Sequence, residues 1–112
     1  MTENRTGICR IGCAGWTIPR DVIAAFPDAG SHLERYAQVF GGVEINSSFY
    51  RPHRQQTYAR WAESVPDDFR FSVKLPRAIS HDAKLRDIDA PLAQFASEVS
   101  GLGGKLGCLL LQ

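Results

Sequence analysis

Three apolar stripes of helical spacing, each followed across a short link by an extended apolar run, constrain this chain more than any other feature. Leu33, Tyr36, Ala37 and Phe40 stand at i, i+3, i+4 and i+7. Tyr58, Trp61, Ala62 and Val65 repeat that spacing, and Leu92, Phe95, Ala96 and Val99 repeat it again. A side chain every third or fourth position lies along one face of a helix, so each stripe is one amphipathic helix. Between them, residues 69–75 alternate strictly: Phe69, Phe71, Val73 and Leu75 on one face, Arg70, Ser72 and Lys74 on the other. Residues 43–46 alternate in the same way, and residues 106–111 form the continuous apolar run expected of a strand buried on both faces. With a first short strand over residues 8–12, the order is β-α-β-α-β-α-β. Strands separated by single helices require parallel pairing with crossovers, so the fold class is α/β.

Start and stop signals agree with this reading. Ser31-His32-Leu33-Glu34 is a capping box, in which hydroxyl and carboxylate each satisfy a free backbone N–H. Gly41-Gly42 stops the first helix. The second helix is expected over residues 54–64, broken by Pro66. Asp89 is the expected N-cap of the third, with Pro91 in its first turn and Gly101 at its end. Gly101 to Lys105 resembles a phosphate loop only superficially, because it follows a helix and precedes a strand; it is a tight turn. Residues 14–30 are loose, with one helical turn expected near Val22, and residues 1–7 are expected to be disordered.

The links are lopsided. Those from helix to strand are short, whereas those from strand to helix, residues 13–30, 47–53 and 76–89, are long. In parallel α/β folds the long set lines the C-terminal rim, where ligands bind. Glu44 and Lys74 come from strands expected to be neighbours and point away from the helices. A carboxylate and an amine meeting at a water-poor rim supply an acid, a base or a Schiff-base amine; the plain alternative is a structural ion pair. Around them the ligand-binding candidates are Trp16, Asn46, Ser48, Phe49, Tyr50, Arg51, Arg77 and His81. Arg51, Arg77 and Lys84 would form an anion clamp, or else a solvated set of loop charges. Trp61, at helical spacing, is assigned to the core, and His81-Asp82 to a solvated loop.

Composition removes other classes. A net charge of +1 over 112 residues gives no global field toward nucleic acid or anionic lipid. No apolar run approaches the roughly 18 residues of a membrane span, and the polar N-terminus has no apolar signal core. Three cysteines without a metal-binding spacing read as free, mostly buried thiols in a reducing cytoplasm. No metal set is present around Glu44, and the residues specify no cofactor. The expected partner is a small-molecule ligand. Single-stranded nucleic acid on Arg51, Arg54, Arg77, Lys84 and Arg86, with Phe49 or Tyr50 stacking on bases, is the alternative. The uncovered last strand adds self-association through the sheet edge as an expectation, or the chain is an inactive first part of something longer.

The segments "IGCAGW" (11–16), "VEINSSFYR" (43–51) and "FRFSVKLPRAISH" (69–81), in this order, with "LGCLLLQ" at 106–112, resemble the YecE-like family of bacterial and archaeal proteins of unknown function. The resemblance implies a TIM-type (β/α)8 barrel about twice this length or more, of which residues 8–112 are three β/α units and the fourth strand. It also implies a loose fold-level likeness to sugar isomerases, and fold alone does not fix function. His53-Arg54-Gln55-Gln56 departs from the Ser/Thr-type helix cap expected there.

Overall fold

A computed structural model describes residues 9–82 and 86–111. The expectation of disorder over 1–7 and the placement of Lys84 in an anion clamp fall outside those residues. The chain forms β1 (Gly12–Ala14), α1 (His32–Ala37), β2 (Gly42–Ile45), α2 (Gln55–Glu63), β3 (Arg70–Lys74), α3 (Asp89–Val99) and β4 (Leu106–Leu110). The strands lie in the order β1-β2-β3-β4, every neighbouring pair parallel. Sequential order with all strands parallel is the winding of part of a TIM-type barrel, and it differs from a doubly wound sheet, whose order reverses.

One face of the sheet holds the core. Val43, Ile45, Phe71 and Val73 pack there against Leu33 and Tyr36 of α1, Tyr58 of α2 and Phe95 and Val99 of α3. The period-two alternation of β3 separates this face cleanly, with Phe71 and Val73 fully buried and Arg70, Ser72 and Lys74 opposite. Helix α1 begins as its capping box requires: Glu34 N–H donates to Ser31 Oγ at 3.2 Å and Ser31 N–H donates to the Glu34 carboxylate at 2.7 Å. The Tyr36 hydroxyl donates to Gly42 O at 2.8 Å and accepts from Cys13 N–H at 2.7 Å, tying the start of β2 to β1. Burial raises the pKa of that phenol.

Several boundaries differ from expectation. Among the described residues the first strand is Gly12–Ala14, later than the expected 8–12, because Gly12 pairs with Gly42, where β2 begins; residue 8 lies outside the described residues. A side chain at Gly12 would run into the Gly42 carbonyl, so the two strands meet at glycine. The loose segment does contain its helical turn, Ile23–Ala25. Helix α1 ends at Ala37, yet Phe40 still packs on the core from beyond its end. Ile88, not Asp89, is the N-cap of α3, and Asp89 occupies the first helical turn, where its charge favours the helix dipole. Ala96 is exposed, so the buried stripe of α3 is narrower than its sequence spacing.

The largest correction concerns β4. Its burial runs intermediate, exposed, exposed, exposed, intermediate, not buried on both faces. Among the described residues β4 pairs only with β3, so its other edge and its inner face have no covering layer. Gly107 is skipped between Leu106, paired with Phe71, and Cys108, paired with Ser72. That bulge suits glycine, since a Cβ there would lie 3.2 Å from Phe71 O. The thiols of Cys9, Cys13 and Cys108 are free but exposed, because Cys13 lies on the short edge strand β1 and Cys108 lies on the open face of β4. The glycine-rich turn is an αβ connection: Ser100–Lys105 coils tightly, Gly103 takes φ 58°, and the Lys105 ammonium donates to Ala62 O and Val65 O at the end of α2. No helix among the described residues is long and apolar enough to cross a membrane.

Candidate functional site

The strand tips place two ionisable groups together. Glu44 of β2 stands opposite Ser72 of β3, and Lys74 follows two residues further along the same face. Lys74 Nζ lies 3.9 Å from Glu44 Oε2, with the lysine side chain 17% and the glutamate side chain 32% exposed. At that distance the two charges attract without a close hydrogen bond, and each keeps part of its side chain open to solvent. The ammonium also sits 5.2 Å from the centre of the Phe49 ring, a cation–π contact.

Phe49 organises this side of the rim. Its ring meets Tyr50 edge-on at 5.0 Å and His81 at 5.1 Å. Tyr50 is 71% exposed, and His81 Nδ1 lies 2.9 Å from Ser80 Oγ. Residues 47–49 form a tight turn directly after β2, while Ala78–Asp82 form a single π-helical turn after β3. Phe49, Tyr50, Arg51, Arg77, Pro91 and Glu98 line a cavity of about 280 Å³ between these turns and α3.

Ser48 has a different place from the one its sequence position suggests. It is 1% exposed, and its hydroxyl reaches Lys74 O at 2.6 Å and Ile45 O at 3.2 Å. It therefore fastens the turn to the tip of β3, at the edge of that same cavity. Asn46, immediately after β2, lines a second cleft of about 300 Å³ with Trp16, Ser47, Arg51, His53 and Trp61. Gly15 N–H donates to Glu44 O at 2.8 Å, which fixes the loop carrying Trp16 beside the strand tip. Trp16 and Trp61 meet edge-on at 4.9 Å, and both are half-buried, so Trp61 is a wall of this cleft as well as a core contact.

The residue that sequence reasoning passed over is His53. Its Nε2 lies 2.8 Å from Ser47 Oγ, and its ring packs edge-on against Tyr58 at 5.7 Å and Trp61 at 5.2 Å. Burial lowers its pKa and the Arg51 guanidinium adds to that, while the Glu98 carboxylate opposes it. The signal in the sequence was the unusual imidazole at the helix entrance. With His53 turned to Ser47, the N-cap of α2 is Arg54, which makes no side-chain cap. Among the described residues no three His, Cys, Asp or Glu side chains gather as a metal set.

Comparison with known proteins agrees with this fold. Residues 10–112 match the family described as "Protein of unknown function DUF72". UPF0759 protein YecE of Escherichia coli K12 is 36% identical over 102 residues, 91% of this chain and 36% of that protein. The O157:H7 counterpart matches to the same extent. A crystal structure of a DUF72-family protein of Enterococcus faecalis V583 at 3.10 Å superposes with a TM-score of 0.76 at 23% identity, over 92% of this chain and 38% of that one. A second structure of that protein at 2.52 Å gives 0.67 at 22% identity, with the same coverage. The chain thus spans little more than a third of the relatives it matches. With the family match running from before β1 through β4, this chain belongs to the DUF72 family of proteins of unknown function.

Proposed function

We propose that the rim formed by Glu44, Lys74 and the turns above them binds a small polar ligand, anionic or polyhydroxyl, in the complete protein. Glu44 and Lys74 exchange a proton with it, in chemistry of the isomerase or lyase type. The supporting observation is the 3.9 Å approach of two part-exposed opposite charges at the strand tips, on the face away from the helices. Lys74 supplies the proton or holds a developing negative charge, and Glu44 receives a proton from a carbon or hydroxyl of the ligand. Asn46 and Tyr50 orient hydroxyls, while Arg51, Arg77 and His81 hold negative charge on the Phe49 side. The protein works in the cytoplasm, a reading that its free thiols support.

Calorimetric titration with a panel of sugar acids and sugar phosphates tests this reading in the complete protein. Binding is expected in the native sequence and weakened in both Glu44→Gln and Lys74→Met. Unchanged affinity and turnover in both variants would refute it.

The exposed Tyr50 beside Arg51 favours a second reading, single-stranded nucleic acid stacking on the rim. That reading requires salt-dependent binding, and no binding at about 50 mM salt rules it out. Self-association through the free edge of β4 is a further proposal, motivated by Leu109 and Leu111 at 42% and 60% exposure.

A further inference from the structure

The cleft on the Trp16 side of the rim adds Ser47 and His53 to Asn46 and to Arg51, which borders both this cleft and the Phe49-side cavity. The Ser47 hydroxyl and the His53 imidazole are 2.8 Å apart. His53 is wedged between the rings of Tyr58 and Trp61, so its ring is fixed in place by packing. Asn46 stands at the start of the turn without using its amide as a cap. Arg51 lines the same cleft, and among the described residues its guanidinium makes no hydrogen bond or ion pair. The half-buried Trp16 forms the apolar wall opposite.

We propose that this cleft is an oxyanion subsite, in which Arg51, Ser47, Asn46 and His53 bind the carboxylate, phosphate or sulfate group of a ligand. It deepens the rim reading by naming the group that anchors the ligand, and rests on that reading only in assigning anchor and Glu44–Lys74 pair to one ligand. In the free cleft the Ser47 hydroxyl and His53 Nε2 share one hydrogen bond, and burial favours the neutral ring. An arriving oxyanion accepts from Arg51 and from the Asn46 amide. His53 then takes up a proton from solvent, which makes both ring nitrogens donors, and the Ser47 O–H donates to the anion. Proton uptake on anion binding is therefore fractional, and largest at pH values between the free and the anion-bound pKa of His53.

The charged and titratable groups facing His53 are Arg51 on its own loop, Tyr58 on α2 and Glu98 on α3. Of these, Arg51 is the one an anion screens directly. The test is an NMR titration of the three histidines of the chain in sodium chloride, and at matched ionic strength in sodium sulfate and in sodium acetate. The His53 pKa rises by about one unit in the presence of the bound anion, as an opposite charge within a few ångströms requires, while exposed His32 does not move. Arg51→Gln abolishes the rise and Ser47→Ala reduces it. A response to sulfate alone assigns the subsite to phosphate or sulfate esters, and a response to acetate alone assigns it to carboxylates. A His53 shift no larger than that of His32 in both salts, or one that survives Arg51→Gln, overturns the proposal. Bare anions probe this cleft without Glu44 or Lys74, so its failure and that of the proton-transfer reading are separate results.

Discussion

Tyr58 carries a buried hydroxyl that has no hydrogen-bond partner among the described residues. Burial, with the Glu98 charge second, pushes its pKa up to about 12. An unsatisfied buried polar atom costs about 1–3 kcal/mol, so Tyr58→Phe is expected to leave stability unchanged or raise it by about 1 kcal/mol, read as the urea midpoint. A clear loss would show that the hydroxyl has a partner. Ser48→Ala acts in the opposite direction. It leaves Lys74 O without its 2.6 Å donor and should cost about 1–3 kcal/mol. His53 adds a pH dependence. Its folded pKa lies below the ordinary value of 6.5, so the unfolded chain binds the proton more readily. The stability this contributes is complete above 6.5 and falls as pH drops through the folded value. His53→Gln should flatten that part of the urea-midpoint profile, and identical profiles would contradict the assignment. The Glu44–Lys74 pairing could be read from sequence parity alone, since residue type and face sufficed. The burial of Ser48 and the Ser47–His53 contact could not, because a tight turn after β2 rotates consecutive side chains out of the strand's alternation.

Among the elements, helices α1 and α2 and strand β3 follow their sequence patterns closely, because periodicity and capping act within a few residues of chain. Ser31 and Glu34 illustrate this: the capping box was visible as four letters and exists as two hydrogen bonds. Ser31→Ala should cost about 1 kcal/mol, checked by thermal unfolding. What failed at this scale depends on neighbours distant in sequence. The start of β1 is set by where β2 begins, the bulge at Gly107 by the register against Phe71 and Ser72, and the exposure of β4 by the missing cover on its outer edge. Gly101 is another such position. A Cβ there would collide with the backbone of α2 at Gln55 and Ala59, so Gly101→Ala should loosen the α2 contact and cost about 1–3 kcal/mol.

At the scale of the molecule, the parallel winding was legible because alternating strand and helix patterns with lopsided links admit few topologies. The sheet has one face built on helices and one face carrying Glu44, Ser72 and Lys74, and the long loops gather above the strand ends. That division explains why charged and aromatic side chains collect at one rim of a nearly neutral chain. The central claim is that Glu44 and Lys74 act there as one unit toward a ligand, and a double-mutant cycle on ligand affinity in the complete protein tests it most directly. Glu44→Gln and Lys74→Met, separately and together, should each weaken binding, and the double variant should lose little more than either single one. That corresponds to a coupling of about 1–3 kcal/mol. Additive losses, or full affinity in the double variant, would contradict the account.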